Sequence, residues 1–489
     1  MNNTIVIGGS MAGMLAACAL SETFDRVTIL ERDVISGNLE GRPGVPQARH
    51  LHALLPRGRR ILERWFPGIT SEFQAAGAEI LDLANDIAWL TPQGWGVRFP
   101  SEFEALTSTR DLLDWVVRRR LLQLPNVNLL QGCEVKSLRG RAHLVEGVNL
   151  NFRAENRRGA SSDFLRSEFV VVATGRNSSA PNWLRELGLP EPETSGVDAH
   201  VGYASRMFRR PSQFQSAWRA LFIQAAPPAA KRAGILFPVE GNRWFVTLQG
   251  GDRDYPPADE AGFLEFARTL RSPLLFEAVK DAEPLTPISS YRATQNKVQH
   301  YERLKSWPDR LIVFGDAACA FNPVYGQGIT TAALAAEDLQ RCFRQSCGKL
   351  DGVAHHFQRR LANINRAPWM LSTSEDLRYA GVEGAAASPG IRFMRKYINN
   401  VLRFATRSKT VRRRFLEVQG MLKGPAAIFS PLVVAQVSKE ALKSKPSSGR
   451  HHEALRAAHK ISALDGTEAP IRDALTFRRR KARRPARSF

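Results

Sequence analysis

Short apolar runs, each shut off by a glycine or an acid, alternate with helix-length stretches at both ends of the chain. Thr4-Ile5-Val6-Ile7 predicts a buried strand, and Gly8-Gly9-Ser10-Met11-Ala12-Gly13 turns it into an Ala/Leu-rich helix that fades near Glu22. Val27-Thr28-Ile29-Leu30 predicts a second strand, closed by Glu31. Far along the chain, Leu311-Ile312-Val313-Phe314 repeats the pattern and delivers Asp316, after which a Pro- and Gly-bearing loop opens an Ala-rich helix from Thr330 onward. The middle reads differently. Ile87–Leu90 and Trp95–Phe99 predict paired strands around Pro92-Gln93-Gly94, and Val201–Phe208, Gly234–Phe237 and Arg243–Leu248 predict more, with Glu240-Gly241-Asn242 as a hairpin turn. Past about residue 385 the pattern is helical and basic. Met394, Ile398, Val401 and Ala405 share one helical face, with Arg392, Arg395, Lys396, Arg403 and Arg407 largely outside it.

The first strand, turn, helix and second strand form, in order, a nucleotide-binding pattern. Gly8 permits a tight turn, the small Ser10 lets a pyrophosphate approach the backbone, and Gly13 lets helix and sheet pack closely. The helix start offers free N–H groups and a positive dipole end to phosphates. Glu31, followed by Arg32, stands where an acid accepts hydrogen bonds from an adenosine ribose. An ordinary strand-to-helix turn would leave that acid without a reason. Paired with the second element, Gly315-Asp316-Ala317-Ala318 with Asn322-Pro323-Val324-Tyr325-Gly326-Gln327-Gly328, this pattern suggests a bound flavin rather than a passing nicotinamide.

These residues carry a family resemblance from about residue 4 to about residue 385. The ordered motifs are the two elements above, Arg42-Pro43-Gly44-Val45-Pro46-Gln47 with His50-Leu51-His52, Thr109-Arg110 before Leu112-Leu113, and Ala173-Thr174-Gly175-Arg176. The chain resembles the FAD-dependent monooxygenases of the para-hydroxybenzoate hydroxylase-like family, in the branch of polyether epoxidases and squalene monooxygenase-like proteins. The resemblance implies an α/β fold: a Rossmann-like FAD-binding domain interleaved with a β-sheet substrate domain, plus C-terminal helices. The expected boundaries are 1–75, 105–190 and 300–345 for the FAD-binding domain, 76–104 and 191–299 for the sheet domain, 346–440 for the helices, and 441–489 for a basic tail that reads as disordered. It further implies that Asp316 bonds the ribityl chain, Pro323 lies against the isoalloxazine, and N–H groups around Gly326 and Gly328 face its pyrimidine edge. Arg110 would reach the pyrophosphate or the adenine side, and the backbone at Val135 the adenine. Val172 departs from the pattern, since many relatives carry an acid there.

Composition narrows the partners. With 489 residues and 43% apolar content the chain can bury substantial cores in more than one domain. Met1-Asn2-Asn3 lacks the basic region of a secretory signal, and no apolar run reaches membrane-span length. Cys18, Cys133, Cys319, Cys342 and Cys347 form no C-x-x-C pair, which suits a reducing compartment, so a cytoplasmic location is expected. Part of the net charge of +22 sits in Arg478–Arg484, yet no helix-turn-helix, zinc-ligand or RNA-stacking pattern accompanies it, and no specific nucleic-acid partner is expected. The basic amphipathic helix near residue 400 either packs onto the flavin domain or rests peripherally on a membrane.

The expected reaction is insertion of one oxygen atom from O2 into a lipophilic aromatic or alkene substrate through a flavin hydroperoxide, as hydroxylation or epoxidation. No second nicotinamide fingerprint is present, so NAD(P)H would reduce the flavin by transient binding or through a separate flavin reductase. The loop Arg42–His52 is the expected working edge, with Arg42, Gln47 and His50 as catalytic candidates; the competing reading has Arg42 and Gln47 clamping cofactor and the histidines capping a helix. The His50-x-His52 pair lacks a third ligand, so no metal is expected. A prenyl-type alkene reductase and a non-catalytic flavin-binding protein are the alternatives; a halogenase is disfavoured because no Trp-x-Trp-x-Ile-Pro segment occurs.

Overall fold

In the computed structural model, which describes residues 2–35, 41–42, 44–152 and 163–441, the first strand lies at the centre of a five-stranded parallel sheet. The order is Leu311–Val313, Phe169–Val172, Asn3–Ile7, Arg26–Glu31, Val127–Gln131. Phe169–Val172 and Leu311–Val313 are buried throughout, as strands covered on both faces must be. Helices Met11–Leu20 and Gly328–Ser346 follow strands that flank Phe169–Val172 and pack against each other. At Gly13 an added Cβ would stand 1.7 Å from the Gly8 carbonyl oxygen, so close packing of helix on turn requires glycine there.

A second, seven-stranded sheet contains Gly202–Arg209, Arg243–Gly250, Arg232–Val239, Ala220–Ile223 and Ile87–Thr91. Its hairpin pairs Val239 with Arg243, and Gly241 (φ +75°) and Asn242 (φ +53°) take the left-handed conformations the turn needs. The strand expected over Trp95–Phe99 is shorter: only Gly94–Trp95 pairs with Thr91 and Leu90. Gly96 gives up its side-chain space to the Arg412 guanidinium, whose Cζ lies 2.5 Å from where a Cβ would be. The next amide, Val97, then bonds the Ala405 carbonyl at 3.0 Å.

That bond marks another correction. Helix Pro389–Ala405 packs not on the parallel sheet but beside strand Ile87–Thr91, with Val401, Leu402, Phe404 and Ala405 in one core with Leu81, Ile87, Phe99 and Phe103. Helix Lys409–Gln419 adds Val411, Phe415 and Leu416 to it. Ile87 and the loop residues Phe99 and Phe103 present an apolar surface, and the helical stripe covers it. Among the described residues no helix is long and apolar enough to cross a membrane. Pro43 and the basic tail from 442 onward lie outside the described residues.

Candidate functional site

Two helix starts border one cavity of about 790 Å3, within the roughly 300–1,000 Å3 usual for ligand sites. One belongs to Met11–Leu20, the other to Gly328–Ser346, and neither N-cap residue, Ser10 or Gln327, makes a side-chain capping bond. Both starts thus retain N–H donors and a positive dipole end for an occupant. Gly8 lies at φ +107° with its Cβ position 2.5 Å from the Ala173 carbonyl oxygen, so only glycine passes this turn. The Ser10 hydroxyl instead accepts from Arg110 Nη2 at 2.8 Å, while Arg110 Nε donates to Asp114 at 2.7 Å.

Of the residues singled out from sequence, Gly8, Ser10, Glu31, Arg32, Gln47, His50, Arg110, Val135, Asp316, Pro323, Gly326 and Gly328 line this cavity. Arg42 and Gly13 do not. Gly13 serves the turn from behind, as described above. Arg42 donates to Glu31 and Asp114, both at 3.2 Å, and to the Gly9 carbonyl at 3.2 Å, in a buried cluster. Those contacts spend its donors on two buried carboxylates and a turn carbonyl, and tie its loop to the glycine turn. Glu31 also accepts from the Gly9 N–H at 2.8 Å and the Asp33 N–H at 3.0 Å. Val172, the departure from the family pattern, is fully buried between Ile7 and Val313 in the sheet.

The loop before the second helix is tied down by a buried polar network. Asp376, at the end of helix Val353–Asp376, accepts from the Tyr325 hydroxyl at 2.6 Å, from Asn296 at 2.6 Å and from Asn322 at 3.1 Å on each oxygen. Ser372 donates to Asn296 Oδ1 at 2.6 Å, and the Asn322 amide donates to the same oxygen at 2.8 Å. Burial pushes the Asp376 carboxyl up to about 7, against the pull of these donors. Burial likewise raises Asp316, countered by Arg176 and Arg110. Arg176 crosses the site by donating to the carbonyls of Gln295 and, at 2.6 Å, Phe321.

Elsewhere the wall is aromatic and apolar, with Trp89, Phe222, Phe237 and Phe415 among its side chains. His50 joins it from the short turn after Gln47. Its Nδ1 lies 2.9 Å from the Ser205 hydroxyl, which lies 2.8 Å from that of Thr247, and its ring packs edge-on against Tyr203 at 4.6 Å. His52 Nδ1 faces the His50 carbonyl at 2.9 Å, which fixes a proton there and leaves Nε2 as an acceptor. Burial lowers His50 to about 3, helped by His52 and Arg49, and lowers His52 to about 4, helped by Arg110. Both imidazoles are neutral near pH 7.

No family model matches the chain. Protein Rv3254 of Mycobacterium tuberculosis is 30% identical over 400 residues, covering 81% of this chain and 83% of that protein. Among solved structures, p-nitrophenol 4-monooxygenase PnpA from Pseudomonas putida DLL-E4 is 19% identical with a TM-score of 0.60, covering 87% of this chain and all (100%) of that one. The flavin-dependent brominase Bmp2 is 13% identical with a TM-score of 0.62, covering 89% and 99%. The chain belongs to the family of Protein Rv3254 and has the para-hydroxybenzoate hydroxylase-like flavoprotein fold.

In this Rv3254-family protein the sequence reading missed two groups. Arg176 closes the Ala173-Thr174-Gly175-Arg176 motif with no role assigned to it, and Asp376 stands outside every motif. A signal existed for the latter: Gln358, Asn365, Ser372 and Asp376 recur at helical spacing and so mark one polar stripe on the buried face of that helix.

Proposed function

We propose that this protein binds FAD and is a monooxygenase that inserts one oxygen atom of O2 into a lipophilic aromatic or alkene substrate. What carries the reading is the continuity of one cavity from two uncapped helix starts to an aromatic chamber. The residues present fit an extended dinucleotide. The Gly8 turn has no room for a Cβ, Gly326 sits at φ +64° with nothing near its Cβ position, and Gln327 Oε1 is buried without a hydrogen-bond partner. Gly8, Ser10 and Arg110 would hold the pyrophosphate, Glu31 the ribose, the backbone at Val135 the adenine, Asp316 the ribityl chain, and Pro323, Gly326 and Gly328 the ring. When bound and reduced by NAD(P)H, directly or through a reductase, the flavin supplies electrons to dioxygen so that one atom enters the substrate and the other leaves as water.

The chain's own work is positioning, exclusion of water and proton placement. The Asp376 network fixes the loop carrying Pro323 and Gly326. Trp89, Phe222 and Phe237 exclude water and take the apolar body of the substrate. Neutral His50, with Ser205 and Thr247, forms a hydroxyl–imidazole line able to hold a proton at the cavity wall, and Gln47 flanks it. The experiment is oxygen uptake by FAD-loaded protein with NAD(P)H, with and without a reductase, in the presence of lipophilic alkenes and phenols under 18O2. A product heavier by one labelled oxygen supports the proposal. Reduction of an alkene without oxygen uptake overturns it in favour of a reductase.

A further inference from the structure

We propose that the substrate is an amphiphilic oxyanion, an apolar body ended by a carboxylate, and that Arg395 takes the charged end. The wall built by helices Val353–Asp376 and Pro389–Ala405 is mostly apolar where it meets the cavity, through Met370, Met394, Ile398 and Leu402. Three charged groups interrupt it: Glu375, Arg378 and Arg395. Two satisfy each other. Arg378 Nε donates to Glu375 at 3.1 Å, and its Nη1 donates to Asn399 at 3.0 Å. Arg395 is left over, with Nε and Nη2 buried and without a hydrogen-bond partner. Burial destabilises its charge, the neighbouring Arg378 and Arg392 add to that, and Glu375 offsets only part.

A guanidinium held in an apolar wall with unfilled donors is poorly solvated, and an oxyanion is the partner its planar fork suits best, through two parallel hydrogen bonds. The carboxylates Glu31, Asp33 and Asp316 line the nucleotide end of the cavity instead. An acid head at Arg395 lets the body of the ligand extend along Met394, Ile398 and Leu402 toward Trp89 and Phe415. The same chemistry could come from the 2′-phosphate of a nicotinamide nucleotide, so the test carries an arm for it.

This inference rests on the proposed substrate cavity but not on oxygen chemistry, and its test contains neither reductant nor turnover. Binding of 2-naphthoate, 2-naphthamide, dodecanoate, dodecanamide and NADP+ to the full-length, FAD-loaded protein is measured by titration calorimetry. Each carboxylate is expected to bind at least tenfold more tightly than its amide. Arg395→Met should erase that preference while leaving amide affinity unchanged, Arg395→Lys should keep part of it, and exposed Arg403→Met should keep all of it. Thermal melts of each variant guard against misfolding. Equal affinity for acid and amide, no carboxylate binding, a preference that survives Arg395→Met, or loss of NADP+ binding in its place overturns the proposal.

Discussion

Replacing Tyr325 by Phe removes one hydroxyl and nothing else from the loop that borders the second helix start. That hydroxyl donates to Asp376 Oδ1 at 2.6 Å. The acid keeps Asn296 and both Asn322 contacts in the variant, so it is not orphaned. A hydrogen bond to a charged acceptor contributes about 1.5–3 kcal/mol and a neutral one about 0.5–1.5. The loss should therefore sit near 1–2 kcal/mol above pH 7, where the acid is ionised, and lower below it. Since about 1.4 kcal/mol is a factor of ten in a binding constant, FAD affinity should fall by up to about thirtyfold at pH 8 and by less at pH 6. The Tyr325 bond also pulls the Asp376 carboxyl downward, so the variant's acid should titrate higher than about 7. A carboxyl whose folded pKa is raised stabilises the fold fully below its unfolded value near 4 and progressively less as pH rises toward 7. In the variant that loss should extend to higher pH. Fluorescence titration with FAD at pH 6 and 8, with urea unfolding at both, measures these effects. Unchanged affinity and an unchanged urea midpoint at pH 8 would refute the idea that Asp376 holds the loop.

Arg42→Ala should cost about 2–4 kcal/mol in urea unfolding, since Glu31 and Asp114 each lose a buried partner but keep others. Lost turnover with unchanged stability would instead support the catalytic role of Arg42. Gly13→Ala forces a Cβ to within 1.7 Å of the Gly8 oxygen and should abolish FAD binding, whereas Gly326→Ala, at φ +64° with no protein atom near its Cβ position, should cost the FAD-free fold only about 1–2 kcal/mol in urea unfolding; native FAD affinity in Gly13→Ala contradicts this. His50 and His52, held neutral with pKa values of about 3 and 4, stabilise the fold above their ordinary 6.5 and stop doing so as pH falls toward 4. His50→Gln should therefore flatten the acid side of a stability–pH curve, and an unaltered curve argues against a buried neutral imidazole.

The nucleotide half was legible because its central strands are apolar on both faces and its turns need glycine. Thr4–Ile7 and Leu311–Phe314 read as buried strands from four residues each, and the residues between them and their helices line one cavity. The sheet half was legible in its hairpins but not at its edge. Trp95–Phe99 has strand composition, yet Arg412, distant in sequence, claims the space beside Gly96 and draws Val97 to a helix end. Arg42 looked catalytic because a basic residue in a Pro/Gly loop suggests a working edge, while its two carboxylate partners come from other elements. Asp376 was invisible for the same reason. Its meaning lies in Tyr325, Asn322 and Asn296, which only folding brings to one point.

The central claim is that a single FAD lies between the two helix starts. Purified, folded protein titrated with FAD and then desalted tests it most directly through the visible spectrum and the cofactor-to-chain ratio. The account predicts a yellow protein holding one FAD per chain, with Gly13→Ala colourless. A folded native chain that emerges colourless at saturating FAD contradicts it.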